Sequence, residues 1–265
     1  MTAFDPWAPY RDLRFAGTRE HPEHGTCFIA EGRILVEDLL VAARAGHLKV
    51  VSVAATTSAA VDLQGRLPAG TELLTATPSD LSELAGFPFH RGLLACAQVP
   101  PPPAPSTLRL TRRLLVLPRV LDGENLGLLL RSAAALGLDG VLAGPGPGLW
   151  TRRTVRVSMG AVWRIPVWRA ENPWELLLDW KTTEPGSEIV AAALTTGAEN
   201  ARHWQPAARC ALVMGPEDTG LDAAALARCD RAVAIGMASG MDSLNVAAAG
   251  AILMFRLMEG VTAPG

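Results

Sequence analysis

The chain reads as two α/β domains in series, the second built on a parallel sheet. Three observations predict this. Short apolar runs alternate with helix-length amphipathic stretches, a string of prolines at 99–106 interrupts that alternation, and beyond it the runs follow a β-α-β cadence that requires crossover helices.

In the first domain, residues 1–105, Cys27-Phe28-Ile29-Ala30 predicts a strand. Glu31-Gly32 leads from it into an amphipathic segment from Ile34 to Ala45, and Val50-Val51-Ser52-Val53 is a short β-prone run. The stretch from Glu72 to Ala85 fits helical or mixed structure, and Gly92 to Ala97 returns to a strand pattern. Successive prolines in Val99-Pro100-Pro101-Pro102-Pro103-Ala104-Pro105-Ser106 remove backbone donors and stiffen the chain, so a linker is expected there.

The second domain, 106–265, opens with Leu114-Leu115-Val116-Leu117 as a buried strand. A helix over about Glu124–Leu136 follows, with Asp122 placed to cap its first N–H groups and Gly137 placed to end it. Gly140–Ala143 is the next strand, and Gly144-Pro145-Gly146-Pro147-Gly148 is a turn-rich loop ahead of Arg152, Arg153 and Arg156. Ile165-Pro166-Val167, Ile189–Ala193, Ala211–Met214 and Ala232–Ile235 supply further strands, with a possible helix at Asp222–Arg228. Ser243 is the expected cap of a last helix running to about Met258.

Hydrophobic residues make up 49% and charged residues 19% of the 265, a composition that folds rather than staying disordered. Val246–Met254 is too short to span a bilayer, and Asp5, Arg11 and Asp12 break up the region where a signal peptide would need an apolar core. A soluble cytoplasmic protein is therefore expected. Cys27, Cys96, Cys210 and Cys229 are widely separated and lack clustered histidines, so reduced buried thiols are expected and no metal site. Net charge is −2, yet residues 106–180 carry 10 basic against 6 acidic side chains, and every basic one is arginine. Arginine suits phosphate pairing and base stacking, although solvated arginines would give the same count.

Three stretches carry the functional signal. Asp122-Gly123-Glu124-Asn125-Leu126-Gly127, followed by Arg131, sits at a strand-to-helix junction without the GxGxxG spacing of a dinucleotide site. Met214-Gly215-Pro216-Glu217-Asp218-Thr219-Gly220-Leu221 can wrap tightly around a ligand, or simply turn. Ile235 to Asn245 is a long irregular connection ending at a helix start, where Ser243 serves as a cap and Asn245, one step inside, is less readily explained that way.

Taken in order, Asn125-x-Gly127-x-x-x-Arg131, Gly215-x-Glu217-x-x-Gly220 and Ser243-Leu244-Asn245-Val246 resemble the motifs of the SpoU/TrmH family of RNA ribose methyltransferases in the SPOUT superfamily. Val157-Ser158-Met159-Gly160-Ala161 and Ile165-Pro166-Val167 strengthen the likeness, which covers about 110–258. Phe28 to Gly32 and His90 to Ala95 look like that family's small L30e-like substrate-binding domain, while Gly236 stands where many relatives carry Pro.

The resemblance implies a C-terminal α/β domain with a deep trefoil knot, a homodimer that completes each active site, and methyl transfer from S-adenosyl-L-methionine to a ribose 2'-hydroxyl without a metal. It assigns Arg131 to the hydroxyl, Asn125 to orienting substrate and Arg131, Glu217 to bracing the second loop, and Ser243 and Asn245 to the third loop and the substrate side. Gly215, Ile235 and Leu244 would contact the cofactor largely through backbone groups, with Leu194 helping to enclose it. Arg152, Arg153 and Arg156 would hold RNA phosphates, the first domain would select the RNA, and ribosomal RNA is preferred over transfer RNA. The other readings are a noncatalytic RNA-binding protein that keeps the same domain and, lower in rank, a nucleotide-dependent oxidoreductase.

Overall fold

The computed structural model describes residues 4–15, 17–89, 92–238 and 243–259. His90, Arg91 and the 239–242 part of the third functional stretch lie outside the described residues. Two compact units form, one from Met1–Pro101 with Gly148–Trp163, the other from Pro102–Pro147 with Arg164–Gly265.

The first unit contains β1 (Arg19–His21), β2 (Gly25–Glu31), α1 (Arg33–Arg44), β3 (Val50–Thr56), α2 (Thr57–Leu63), β4 (Glu72–Ala76), α3 (Pro78–Ala85) and β5 (Leu93–Gln98). Its sheet runs β1-β2-β5-β3-β4, antiparallel except for the β3–β4 pair. The ambiguous stretch 72–85 resolves into a strand and a helix because Thr77, the N-cap, and Asp80, in the first turn, form a capping box around Pro78, the first residue of α3. Cys27, Ile29, Ala54, Leu94 and Cys96 form the core between these layers.

The chain then runs through β6 (Arg113–Leu117), α4 (Gly123–Leu136) and β7 (Gly140–Ala143) of the second unit before returning to the first with α5 (Arg152–Val157). Aromatic packing explains the return: the Phe28 ring lies 4.8 Å from Trp150 and 5.8 Å from Trp163, and the Trp163 indole N–H donates to Asp38 at 3.1 Å. Gly144 to Pro147 stay with the second unit.

Next come β8 (Val167–Arg169), α6 (Pro173–Thr182), β9 (Glu188–Ala192), β10 (Glu199–Asn200), β11 (Cys210–Met214), α7 (Ala223–Leu226), β12 (Arg231–Ala234) and α8 (Val246–Met258). The sheet order is β10-β12-β9-β11-β6-β7-β8, with every pairing parallel. Strands β6, β9 and β11 are apolar along most of their length because helices cover both faces of such a sheet.

Two expected caps differ. Asp122 occupies the N-cap position of α4 but its side chain makes no capping hydrogen bond. Ser243 does not cap α8; Asn245 does, accepting from the N–H groups of Ala247 and Ala248 at 2.9 and 3.3 Å. Asn reaches a helix N-terminus as well as Ser does, so a Ser-x-Asn run leaves the start undecided in sequence. The helix expected at 222–228 shortens to α7, and β8 begins only after Pro166, whose carbonyl accepts from Val141 at 2.9 Å.

At the amino ends of the strands Arg209, only 2% exposed, donates to the carbonyls of Thr111 at 3.0 Å and Arg109 at 2.9 Å and to Ser187 Oγ at 3.2 Å. Its guanidinium also lies 4.3 Å above the Trp180 ring. Arg209→Ala removes these three hydrogen bonds and the cation over Trp180, although the Trp180 indole N–H still reaches the Thr111 carbonyl, and is expected to cost about 2–4 kcal/mol in chemical denaturation. An unchanged unfolding midpoint would contradict this reading.

Candidate active site

The site forms where three strands of the second unit end. The carboxyl ends of β9, β11 and β12 deliver Ala192 to Thr195, Met214 to Leu221, and Val233 to Ile235 to the rim of one cleft of about 590 Å³. Crevices at the carboxyl ends of an open parallel sheet, where successive strands leave in opposite directions, are the usual ligand position in such folds. Here β6 is followed outward by β7 and β8, and the chain then crosses to build β9, β11 and β12 on the other side.

Eight residues singled out in the sequence line this cleft: Asn125, Leu194, Gly215, Glu217, Ile235, Ser243, Leu244 and Asn245. They come from four separated segments. Gly215 is fixed by close approach, since a Cβ there would collide with the backbone of Gly220 and Leu221, so the second loop folds back on itself only with glycine at this point.

Three side chains tie the segments together in a chain with a fixed direction. Asn125 Nδ2 donates to Glu217 Oε1 at 2.6 Å, Asn245 Nδ2 donates to Asn125 Oδ1 at 3.1 Å, and Asn245 Oδ1 receives the two N–H groups of α8. A carboxylate can only accept and helix N–H groups can only donate, so both amides between them have one satisfactory orientation. All three residues keep contact with solvent, so each bond stabilises by only about 0.5–1.5 kcal/mol; orientation is the larger effect.

Arg131 is placed differently. It lies exposed on α4, does not line the cleft, and among the described residues forms no hydrogen bond or ion pair. Gly127, one turn earlier, is buried. Six residues separate Arg131 from Asn125, about 9 Å along the helix and on another side of it. Glu124, Leu128, Arg131 and Ala135 instead form one exposed stripe of α4.

The other arginines expected at the RNA sit on or beside α5 in the first unit. Arg152 pairs with the buried carboxylate of Glu31 and stacks 4.7 Å above the Phe87 ring, so its charge is already matched within the fold. Arg153 is exposed and Arg156 half-buried.

Sequence reading missed the apolar wall of the cleft. Val246, Ala249 and Leu253 face it from α8, and Leu226 from α7. The i, i+3, i+7 spacing on α8 was the available signal, but the same pattern also marks an ordinary buried helix face. The thiols take no part: burial pushes Cys210 up to about 12 and Cys229 up to about 11, far from a reactive thiolate at neutral pH. Among the described residues no cluster of three or more His, Cys, Asp or Glu side chains could hold a metal ion, and no helix is long and apolar enough to cross a membrane.

Comparison with known proteins agrees with this geometry. The model of the SpoU rRNA Methylase family matches residues 112–255, more than half of the chain, and the chain belongs to that family, within the SpoU/TrmH group of the SPOUT superfamily. Its all-parallel C-terminal sheet is the one typical of the SPOUT knotted fold. An uncharacterized tRNA/rRNA methyltransferase of Mycobacterium tuberculosis is 34% identical over 254 residues, covering 93% of this chain and 86% of the relative. The 23S rRNA (guanosine(2553)-2'-O)-methyltransferase RlmP of Bacillus subtilis is 29% identical over 93% of this chain and 94% of its own length. Among solved structures, an AdoMet-bound rRNA methyltransferase from Sinorhizobium meliloti superposes with a TM-score of 0.73 at 26% identity, covering 89% of this chain and 88% of that one.

The amide chain gives a discriminating substitution. Asn245→Asp keeps an acceptor for the α8 N–H groups but sets a carboxylate against Asn125 Oδ1, and if Asn125 flips, its oxygen meets Glu217 instead. Asn245→Asp is expected to retain the thermal stability that Asn245→Ala loses, about 1 kcal/mol for the missing cap, while both variants weaken ligand binding in the cleft. Calorimetric unfolding and titration separate the two effects, and full ligand affinity in Asn245→Asp would contradict the proposed orientation.

Proposed function

We infer that the protein transfers a methyl group from S-adenosyl-L-methionine to a ribose 2'-hydroxyl of structured RNA. The observation that carries this reading is the convergence of Asn125, Gly215, Glu217, Ser243, Leu244 and Asn245 on one cleft in a chain of this family. The residues present suit the cofactor. Strand ends and the tight Gly215 loop offer backbone donors and acceptors, and Leu226, Val233, Leu244 and Leu253 offer apolar walls to a flat base, within the size range of a small-molecule site.

The bound cofactor supplies a methyl carbon on a positively charged sulfur. Transfer of that carbon to a 2'-oxygen would leave the carbon–sulfur electron pair on a neutral sulfur, and the hydroxyl proton would have to leave. Alignment of the oxygen and stabilisation of its developing negative charge are then the protein's tasks. Asn125 and Asn245, held on the cleft by their mutual bond, orient the ribose. A guanidinium remains protonated and is a poor base, so Arg131 stabilises the developing alkoxide while an RNA phosphate or water takes the proton.

Arg131 does not line the cleft of its own chain, and a second copy would bring it to one. Helix α4 packs against α8, on which Phe255 is 62% and Ile252 43% exposed, and Leu128 on α4 is 36% exposed. A homodimer formed through α4 and α8 covers this apolar face and carries Arg131 to the partner's cleft. Arg153 and Arg156 contact RNA phosphates from the first unit, which selects the RNA; Arg152 stays with Glu31. Ribosomal RNA is the preferred substrate because a relative matching almost end to end is a 23S rRNA 2'-O-methyltransferase. The cytoplasm is the proposed location, where the free thiols of Cys27, Cys96 and Cys210 remain reduced.

The test uses the full chain, S-adenosyl-L-methionine with a labelled methyl group, and ribosomal or transfer RNA, with nucleosides analysed after digestion. A 2'-O-methylated nucleoside is expected from ribosomal RNA. Arg131→Ala should lower the rate by a factor of about 100 or more with cofactor affinity intact. Cofactor binding without transfer to any RNA would favour a noncatalytic RNA-binding protein. Phe255→Glu should convert dimers to monomers in sedimentation and abolish transfer; an active monomer would contradict the dimer.

A further inference from the structure

The two loops that follow β6 and β7 are stitched together beside the start of α4. Val120 N–H donates to the Pro145 carbonyl at 3.2 Å, and Gly144 N–H to the Leu117 carbonyl at 2.8 Å. A Cβ on Gly144 would strike the Pro118 carbonyl, and one on Gly146 the Val120 carbonyl, so the two backbones touch with no side chain between them. Only Leu121 and Asp122 separate this seam from the first residue of α4, and Asn125 is the third residue of that helix.

One cation gathers the outer loop. Arg169, at the end of β8, donates through Nη1 to the Pro147 carbonyl at 2.7 Å and through Nη2 to the carbonyls of Gly144 at 2.9 Å and Gly146 at 3.2 Å. Two of the loop's five residues are prolines without N–H groups and three are glycines, so beyond the two seam bonds this fan is what gathers the carbonyls of Gly144, Gly146 and Pro147 on one side chain. Arg169 does not line the cofactor cleft, which is built on β9, β11 and β12, whereas β8 closes the opposite edge of the sheet.

We propose that Arg169 is a positioning residue for the transfer reaction: by clamping loop 144–147 onto loop 118–120 it sets where α4 begins, and so where Asn125 presents its amide to the ribose. This rests on the methyltransferase reading above. It separates the two halves of the site. The cofactor half is built on the loops after β9, β11 and β12 and the substrate half on the clamped loops after β6 and β7, and the bonds of Asn125 to Glu217 and Asn245 join the two. Lysine replaces Arg169 only in part, because one ammonium does not match three carbonyls arranged around a planar fork.

The test compares wild type, Arg169→Ala and Arg169→Lys well below their unfolding temperatures. It reads kcat, S-adenosyl-L-methionine affinity by titration, and the Asn125 side-chain amide resonance by NMR. Arg169→Ala should lower kcat about 10- to 100-fold, weaken cofactor affinity by a clearly smaller factor because Asn125 also ties the cofactor loops, and shift the Asn125 resonance. Arg169→Lys should fall between, and millimolar guanidinium ion should restore part of the Arg169→Ala rate. An unchanged kcat overturns the proposal, and so does cofactor affinity that falls in parallel with kcat, since Arg169 would then support the whole unit. A wild-type protein that transfers no methyl group defeats the functional reading instead. In that case an unmoved Asn125 resonance in Arg169→Ala still overturns the clamp, and a shifted one still supports it.

Discussion

The site depends on a hydrogen-bond chain whose two ends admit one polarity. Glu217 accepts at one end and the first N–H groups of α8 donate at the other, so the amides of Asn125 and Asn245 between them are forced into register. Each bond is worth little in energy, and the consequence is geometric. Three loops that are distant in sequence are held at fixed separations around one cleft, and only then can backbone groups provide a specific surface for a cofactor.

The fold supplies what that chain needs. A seven-stranded parallel sheet gives strand ends that leave in two directions from its middle, and the loops at those ends meet without any strand having to bend. Small residues allow the close approaches: Gly215 lets the second loop double back, and Gly250 lets α8 pack against Leu129 of α4. The division of labour along the sheet follows, with the cofactor cleft at one end and the proposed substrate-side clamp at the other.

Much of this was legible in the residues. The strands at 114–117, 140–143 and 211–214 are continuous apolar runs, and Gly137 ends α4 in the left-handed conformation that its type predicts. The motif positions were legible too, apart from one ambiguity: Ser243 and Asn245 are both good caps, and only the tertiary bond to Asn125 shows why Asn245 takes the role. Arg152 was misleading for a related reason, since nothing local announces that Glu31, 121 residues earlier, will bury its carboxylate against it. Arg169 gave no signal at all, because its partners are carbonyl oxygens, which every residue has.

A double-mutant cycle on S-adenosyl-L-methionine affinity, with Glu217→Ala, Asn245→Ala and the pair, tests the hydrogen-bond chain most directly. Glu217 and Asn245 each bond to Asn125, so the account predicts that their effects are coupled through it, by at least about 0.5 kcal/mol. Additive losses would show that the two loops are held independently and would contradict the account.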